Sequence, residues 1–93
     1  MARDREDVPC AAGAWTEITD GNASNITFIV KHGDDVLVQG MPSSTAPTTT
    51  TEGIPYQNGQ GAEDVSLAKL WGSSAVRVFV YSPEGNVIYV DHA

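Results

Sequence analysis

Two runs near the end of the chain, AVRVFVY (Ala75 to Tyr81) and NVIYVD (Asn86 to Asp91), decide most of what it can fold into. Both are dense in β-branched and aromatic residues, the types that suit a pleated, half-buried surface. Arg77 apart, both are apolar on each face. Val76, Val78 and Val80 alternate with Arg77, Phe79 and Tyr81, and Val87 and Tyr89 alternate with Ile88 and Val90. A strand with one solvated face would alternate apolar with polar residues. These strands have two faces to cover, and in so small a domain a subunit neighbour is expected to cover one. SPEG between them places Pro83 second and Gly85 fourth in a β-turn, so the pair is predicted to be a hairpin.

A second hairpin is predicted upstream. NITFIVK (Asn25 to Lys31) sets Ile26, Phe28 and Val30 on one face and Thr27, Ile29 and Lys31 on the other. HGDD reads as its turn and VLVQG (Val36 to Gly40) as its returning partner. AWTEIT (Ala14 to Thr19) reads as a further strand, closed by the turn cluster DGNASN. In AEDVSLAKLWG, Leu67, Leu70 and Trp71 have i, i+3, i+4 spacing, with Asp64 placed to cap and Gly72 to stop one helical turn. The fold class is therefore all-β: a small β-sandwich or barrel of two hairpins plus extra strands, one short helical turn and a long ordered loop. With 93 residues the chain makes one domain. Residues 1–13 read as an N-terminal arm and 14–93 as the β domain, with 41–61 an extended Ser/Thr/Pro-rich loop.

The arm opens with alternating charges (Arg3, Asp4, Arg5, Glu6) before Val8-Pro9 sets an extended backbone. It is expected to be pinned by contact with another chain. The loop SSTAPTTTTEG (Ser43 to Gly53) holds four consecutive threonines, Thr48 to Thr51, which are stiff at χ1 and favour extended backbone. Pro42, Pro47 and Pro55 fix φ and lower the entropy lost on ordering. Three readings stand: a solvent-exposed connection, a strap against a subunit or partner, and a glycosylated stalk. The stalk is disfavoured by the run's shortness and by the lack of a secretion signal. The partner-binding residues expected from these segments are Arg3, Arg5 and Val8 in the arm and Pro47, Thr48, Thr49, Thr50 and Thr51 in the loop. Deleting residues 1–9 is expected to weaken partner binding and leave the fold intact.

The charge balance narrows the partners. Twelve acids face five bases, for a net charge of −7. Without a basic stripe, neither nucleic acid nor an anionic membrane is an expected partner. No apolar run approaches the ~20 residues a membrane helix needs. MARDREDVPC has no apolar segment of the signal-peptide kind, so the chain is expected to be made in a cytoplasm and remain untranslocated. The sequons at Asn22 and Asn25 then arise by chance. Cys10 is the only cysteine, so it has no internal disulfide partner and reads as a small buried residue or an intermolecular thiol.

No catalytic constellation is legible. His32 lies in a turn and His92 is penultimate, and neither has metal-site spacing. Asp34 and Asp35 supply too few alternating oxygens for a calcium loop. No serine sits in a G-x-S-x-G setting, and NGQG lacks the lysine of a phosphate loop. Glu63 and Asp64 read as a helix start. Trp15 and Trp71 are expected as core anchors. With Tyr56, Tyr81 and Tyr89 they could alternatively form a binding face for sugar or protein. The chain is expected not to be an enzyme, and no cofactor or metal is expected.

WTEITDG leading into NITFIV, and GQGAEDVSLAKLW followed by a valine-rich strand and a terminal VDHA, resemble segments of small structural proteins of tailed bacteriophages. The resemblance spans most of residues 14–93 and brings no catalytic residues. It implies a virion protein. The role expected is a capsid decoration, or cement, subunit, self-associating as a homotrimer and binding the major capsid protein on the shell surface after synthesis in the host cytoplasm. No motif is shared with the lambda-type decoration protein. The alternative is a tail-tip or fibre-associated module that binds a host surface or another tail protein.

Overall fold

The computed structural model describes residues 3–49 and 53–92. Eight strands and one helix follow in order: β1 (Arg3–Cys10), β2 (Ala14–Glu17), β3 (Asn25–His32), β4 (Val36–Met41), β5 (Ile54–Tyr56), β6 (Gly61–Ser66), α1 (Leu67–Trp71), β7 (Arg77–Ser82) and β8 (Asn86–His92). They form two four-stranded sheets, β1-β8-β3-β6 and β2-β7-β4-β5, with every neighbouring pair antiparallel. The chain changes sheet at every connection except β4 to β5. This is the strand order of a jelly roll, the double-sheet arrangement of two interleaved Greek keys. The expected all-β class holds.

The two expected hairpins do not form. β3 pairs with β6 and β8, while β4 pairs with β5 and β7. β7 and β8 likewise lie in different sheets. HGDD and SPEG are corners between layers. The apolar pattern explains the split. Two strands paired edge to edge would turn their apolar faces the same way and still need a second layer. Divided between layers, Val78 and Val80 from one sheet and Ile88 and Val90 from the other fill a single core. Ile26, Phe28 and Val30 of β3 and Val36 and Val38 of β4 join them. Phe28 is fully buried, its ring edge-on to Tyr56 at 5.0 Å between centroids.

The corners are locked by one polar side chain. Asn86, buried at the start of β8, donates from Nδ2 to the carbonyls of His32 (2.5 Å) and Asp34 (2.9 Å). Its Oδ1 accepts from the Ser82 hydroxyl, which in turn accepts from the Gly85 N–H at 2.8 Å. One amide thus ties the β3–β4 corner to the β7–β8 corner, satisfying backbone groups that burial would otherwise leave unpaired. Gly33 is required beside it: its φ is +102°, and a Cβ there would overlap the Asn86 amide.

The segment expected as an arm is, over Arg3–Cys10, the edge strand β1 of the domain itself. Val8 pairs with Ile88 and Cys10 with Asn86, so the chain's own β8 pins it. The alternation hidden behind its charges turns Val8 and Cys10 into the core, where they are 6% and 5% exposed. Val8 is therefore a core residue, which corrects its expected role as a partner contact.

Cys10 is a free, buried thiol. Burial pushes it up to about 11, against a weaker opposing pull from a hydrogen bond with Thr16. In the folded chain the thiol keeps its proton as pH rises, while in the unfolded chain it ionises near 9.0. The unfolded state then holds fewer protons, so stability falls as pH climbs from the unfolded value towards the folded one. Burial raises the Tyr56 hydroxyl in the same direction. The denaturation midpoint is expected to drop between about pH 8 and about pH 10.5, and to drop less in a Cys10→Ala variant. A thiol reagent should label Cys10 only on unfolding. Rapid labelling of the native protein would show that β1 frays from β8.

The predicted helical turn is α1, with a different cap. The Ser66 hydroxyl accepts from the Lys69 N–H at 3.4 Å, while Asp64 lies upstream in β6. Gly72 closes the helix at φ 101°, donating its N–H to the Ala68 carbonyl. Leu67 is fully buried. Trp71 packs against Gly40, where any Cβ would meet its ring at 2.7 Å.

Candidate interaction surface

The Ser/Thr/Pro loop connects β4 to β5, yet it reaches the far edge of its sheet. Trp15 on β2 donates from its indole N–H to the Thr49 carbonyl at 2.7 Å. Trp15 pairs with Tyr81 and Glu17 with Phe79, and Leu37 and Gln39 complete these rows from β4. All of them point away from the core side of the sheet, which holds Val78, Val80 and Val38. The loop is therefore a strap across the outer face. Pro47 is buried and Ala46 half-buried, while Thr48 and Thr49 are exposed. Phe79 is only 4% exposed although it stands outside the inter-sheet core. The second face of β7, expected to need a neighbouring subunit, thus holds at Phe79 a side chain already buried within the chain. Thr50 and Thr51 lie outside the described residues.

The remaining arm residues serve the domain's interior contacts to different degrees. Arg3 donates from Nε to the Ile18 carbonyl at 2.6 Å and pairs with Glu6 at 2.8 Å. It fastens β1 to the β2–β3 connection across an irregularity in the β1–β8 register. Arg5 is exposed, at φ 52°, beside the Asp4 carboxylate at 3.2 Å. Such charged, irregular edges discourage strand addition by other chains. Arm and strap are thus not one gripping surface: one edges the first sheet, and the other lies over the outer face of the second.

The aromatic and titratable candidates divide in the same way. Trp71 anchors α1 on β4, its indole donating to the Val38 carbonyl at 3.3 Å. Trp15 is half-buried, with its ring centroid 5.6 Å from that of Tyr81. His92 is buried and accepts the Asp20 N–H on Nε2 at 3.0 Å, which holds the β2–β3 connection against β8. No group of three or more His, Cys, Asp or Glu among the described residues is placed to hold a metal ion.

The flank that the sequence did not disclose follows β6. This strand ends the order β1-β8-β3-β6, so its far edge has no strand partner among the described residues. Its register with β3 slips between Ile26–Val65 and Phe28–Ala62, so three residues of β6 span two of β3. The extra residue produces a bulge, and Asp64 takes φ 48° within it. The bulge is held by side chains in place of ladder bonds: the Asp64 N–H donates to the Thr27 hydroxyl at 2.8 Å, and Asn25 Nδ2 reaches the Asp64 carbonyl and carboxylate at 3.4 Å each. Three adjoining depressions line this flank. One lies over Ile29 and Gly61, one between Asp64 and Asp91, and one between Asp64 and Leu70.

No protein-family model, curated protein or solved structure matches the chain.

Proposed function

We propose that this jelly roll is a structural subunit of a virion, a decoration protein that binds the outside of a phage capsid and stabilises the shell. The observation that carries the reading is the strand order itself, because double-sheet jelly rolls recur in viral capsid domains. The support is architectural, since the same fold also serves lectins and cupins. The phage-like segments WTEITDG and GQGAEDVSLAKLW add to it. A homotrimer at three-fold positions of the shell, contacting the major capsid protein, is the assembly this role calls for.

The test is the native mass by light scattering, followed by co-sedimentation with phage heads. The expected result is three times the 9.9 kDa chain mass and saturable binding to heads. A monomer that leaves the heads bare would overturn the proposal. A second reading, a tail module that binds a host surface, is favoured by the half-exposed Trp15 beside Tyr81. It predicts binding to host cells, lost in Trp15→Ala, and none to heads.

A further inference from the structure

We infer that the β6 flank is a docking groove for an extended, basic segment of a partner protein. Ile29, 42% exposed, and Leu70, 36% exposed, are the large apolar side chains that stand out from the described surface. Both line this flank, one to each side of Asp64. Between them lie the carboxylates of Glu63, Asp64 and Asp91, none of which is in an ion pair among the described residues, Arg5 acting on Asp91 only from beyond contact distance. The contrast with the rest of the molecule is in the cations. Arg3, Arg5, Lys31 and Arg77 are each already joined to a carboxylate of their own, and Lys69 stands only at the far end, beside Leu70.

The occupant follows from that chemistry. The depressions lie over the outer face of β8, β3 and β6, where Asp91, Thr27, Ile29 and Asp64 stand on neighbouring strands, and an extended chain laid across that face presents alternate side chains to them. Here the apolar positions want small aliphatic groups, and the unpaired carboxylates between them want Lys or Arg. A second copy of this chain is a poor match, because its net charge is −7 and most of its cations are taken. The inference stands apart from the virion reading: it names the chemistry of a partner wherever that partner is found.

The probe is a short fluorescent peptide alternating Lys and Val, with a Glu–Val peptide as control, added to the full chain at low salt. The Lys–Val peptide is expected to bind and to move amide resonances at 24–29 and 61–70. Its affinity should fall at least about fivefold in a Glu63→Gln, Asp64→Asn, Asp91→Asn variant, since each exposed pair is individually weak. Asn tolerates the positive φ at position 64, so this variant keeps the bulge. An Ile29→Thr, Leu70→Gln variant, with carboxylates intact, should weaken binding independently. Absence of binding overturns the inference. So does binding that both variants leave unchanged, or that maps instead to the acidic corner at Asp34, Asp35 and Glu84. Concentration-dependent doubling of native mass, with the same resonances shifting and no peptide present, would assign the groove to a second copy and overturn it too. None of these outcomes bears on co-sedimentation with heads.

Discussion

Replacing Asn86 with alanine should cost about 2–4 kcal/mol, because it strips partners from the part-buried His32 and Asp34 carbonyls and the buried Ser82 hydroxyl together, and a fully buried orphan alone costs about 1–3 kcal/mol. A domain of this size has roughly 5–14 kcal/mol to lose. The expected reading is a fall in Tm of at least about 8 °C by circular dichroism. Asn86→Asp discriminates the cause. It keeps shape and acceptor but loses the amide donors, and it should be nearly as damaging. If the aspartate variant melts like the parent, the two corner bonds carry little, and the loss in alanine comes from packing.

Removing residues 1–9 should unfold the domain or make it aggregate, contrary to the expectation drawn from the charged sequence alone. The deletion takes away Val8, worth about 1.5–3 kcal/mol of burial. It also removes most of the ladder along one side of β8, at about 0.5–1.5 kcal/mol for each hydrogen bond. The uncovered edge belongs to an apolar strand, which is the kind that templates association. The measurement is solubility and a thermal melt of the truncated chain. A cooperative melt within a few degrees of the full chain would show that β1 is dispensable and would restore its reading as a free arm.

These two results mark where the sequence could be read and where it could not. The positions of β3, β7 and β8 were legible because Ile26, Phe28, Val30 and the valines of β7 and β8 alternate over long enough runs to announce themselves, whereas β5, read as loop, and β6, read as a helix start, are too short or too polar to show such a pattern. Pairing was not, because a tight turn such as SPEG serves equally well as a hairpin or as a corner between layers. What distinguishes them is a side chain, Asn86, whose partners lie at His32 and Asp34, far away in the chain. In β1 the alternation spans only Val8 and Cys10, and the five charges before them conceal it. The candidate site was less legible still. Pro47 to Thr51 were singled out for binding a partner, yet the Thr49 carbonyl accepts a hydrogen bond from Trp15 of the same chain. The β6 flank arises from a bulge that depends on Thr27 and Asn25 replacing ladder bonds, and no local pattern in GAEDVS encodes it.

The alternation of the chain between sheets also orders events during synthesis. β8 is the last of these eight strands to be made, yet it sits between β1 and β3, the first and third. Until it exists, the first sheet has a gap at its centre, and β1 has no strand to pair with. A growing chain must therefore hold Val8, Phe28 and their companions in waiting, with their edges open. Only the arrival of NVIYVDH closes the sheet, so the molecule is assembled as a keystone arch is, all at once and from its last piece.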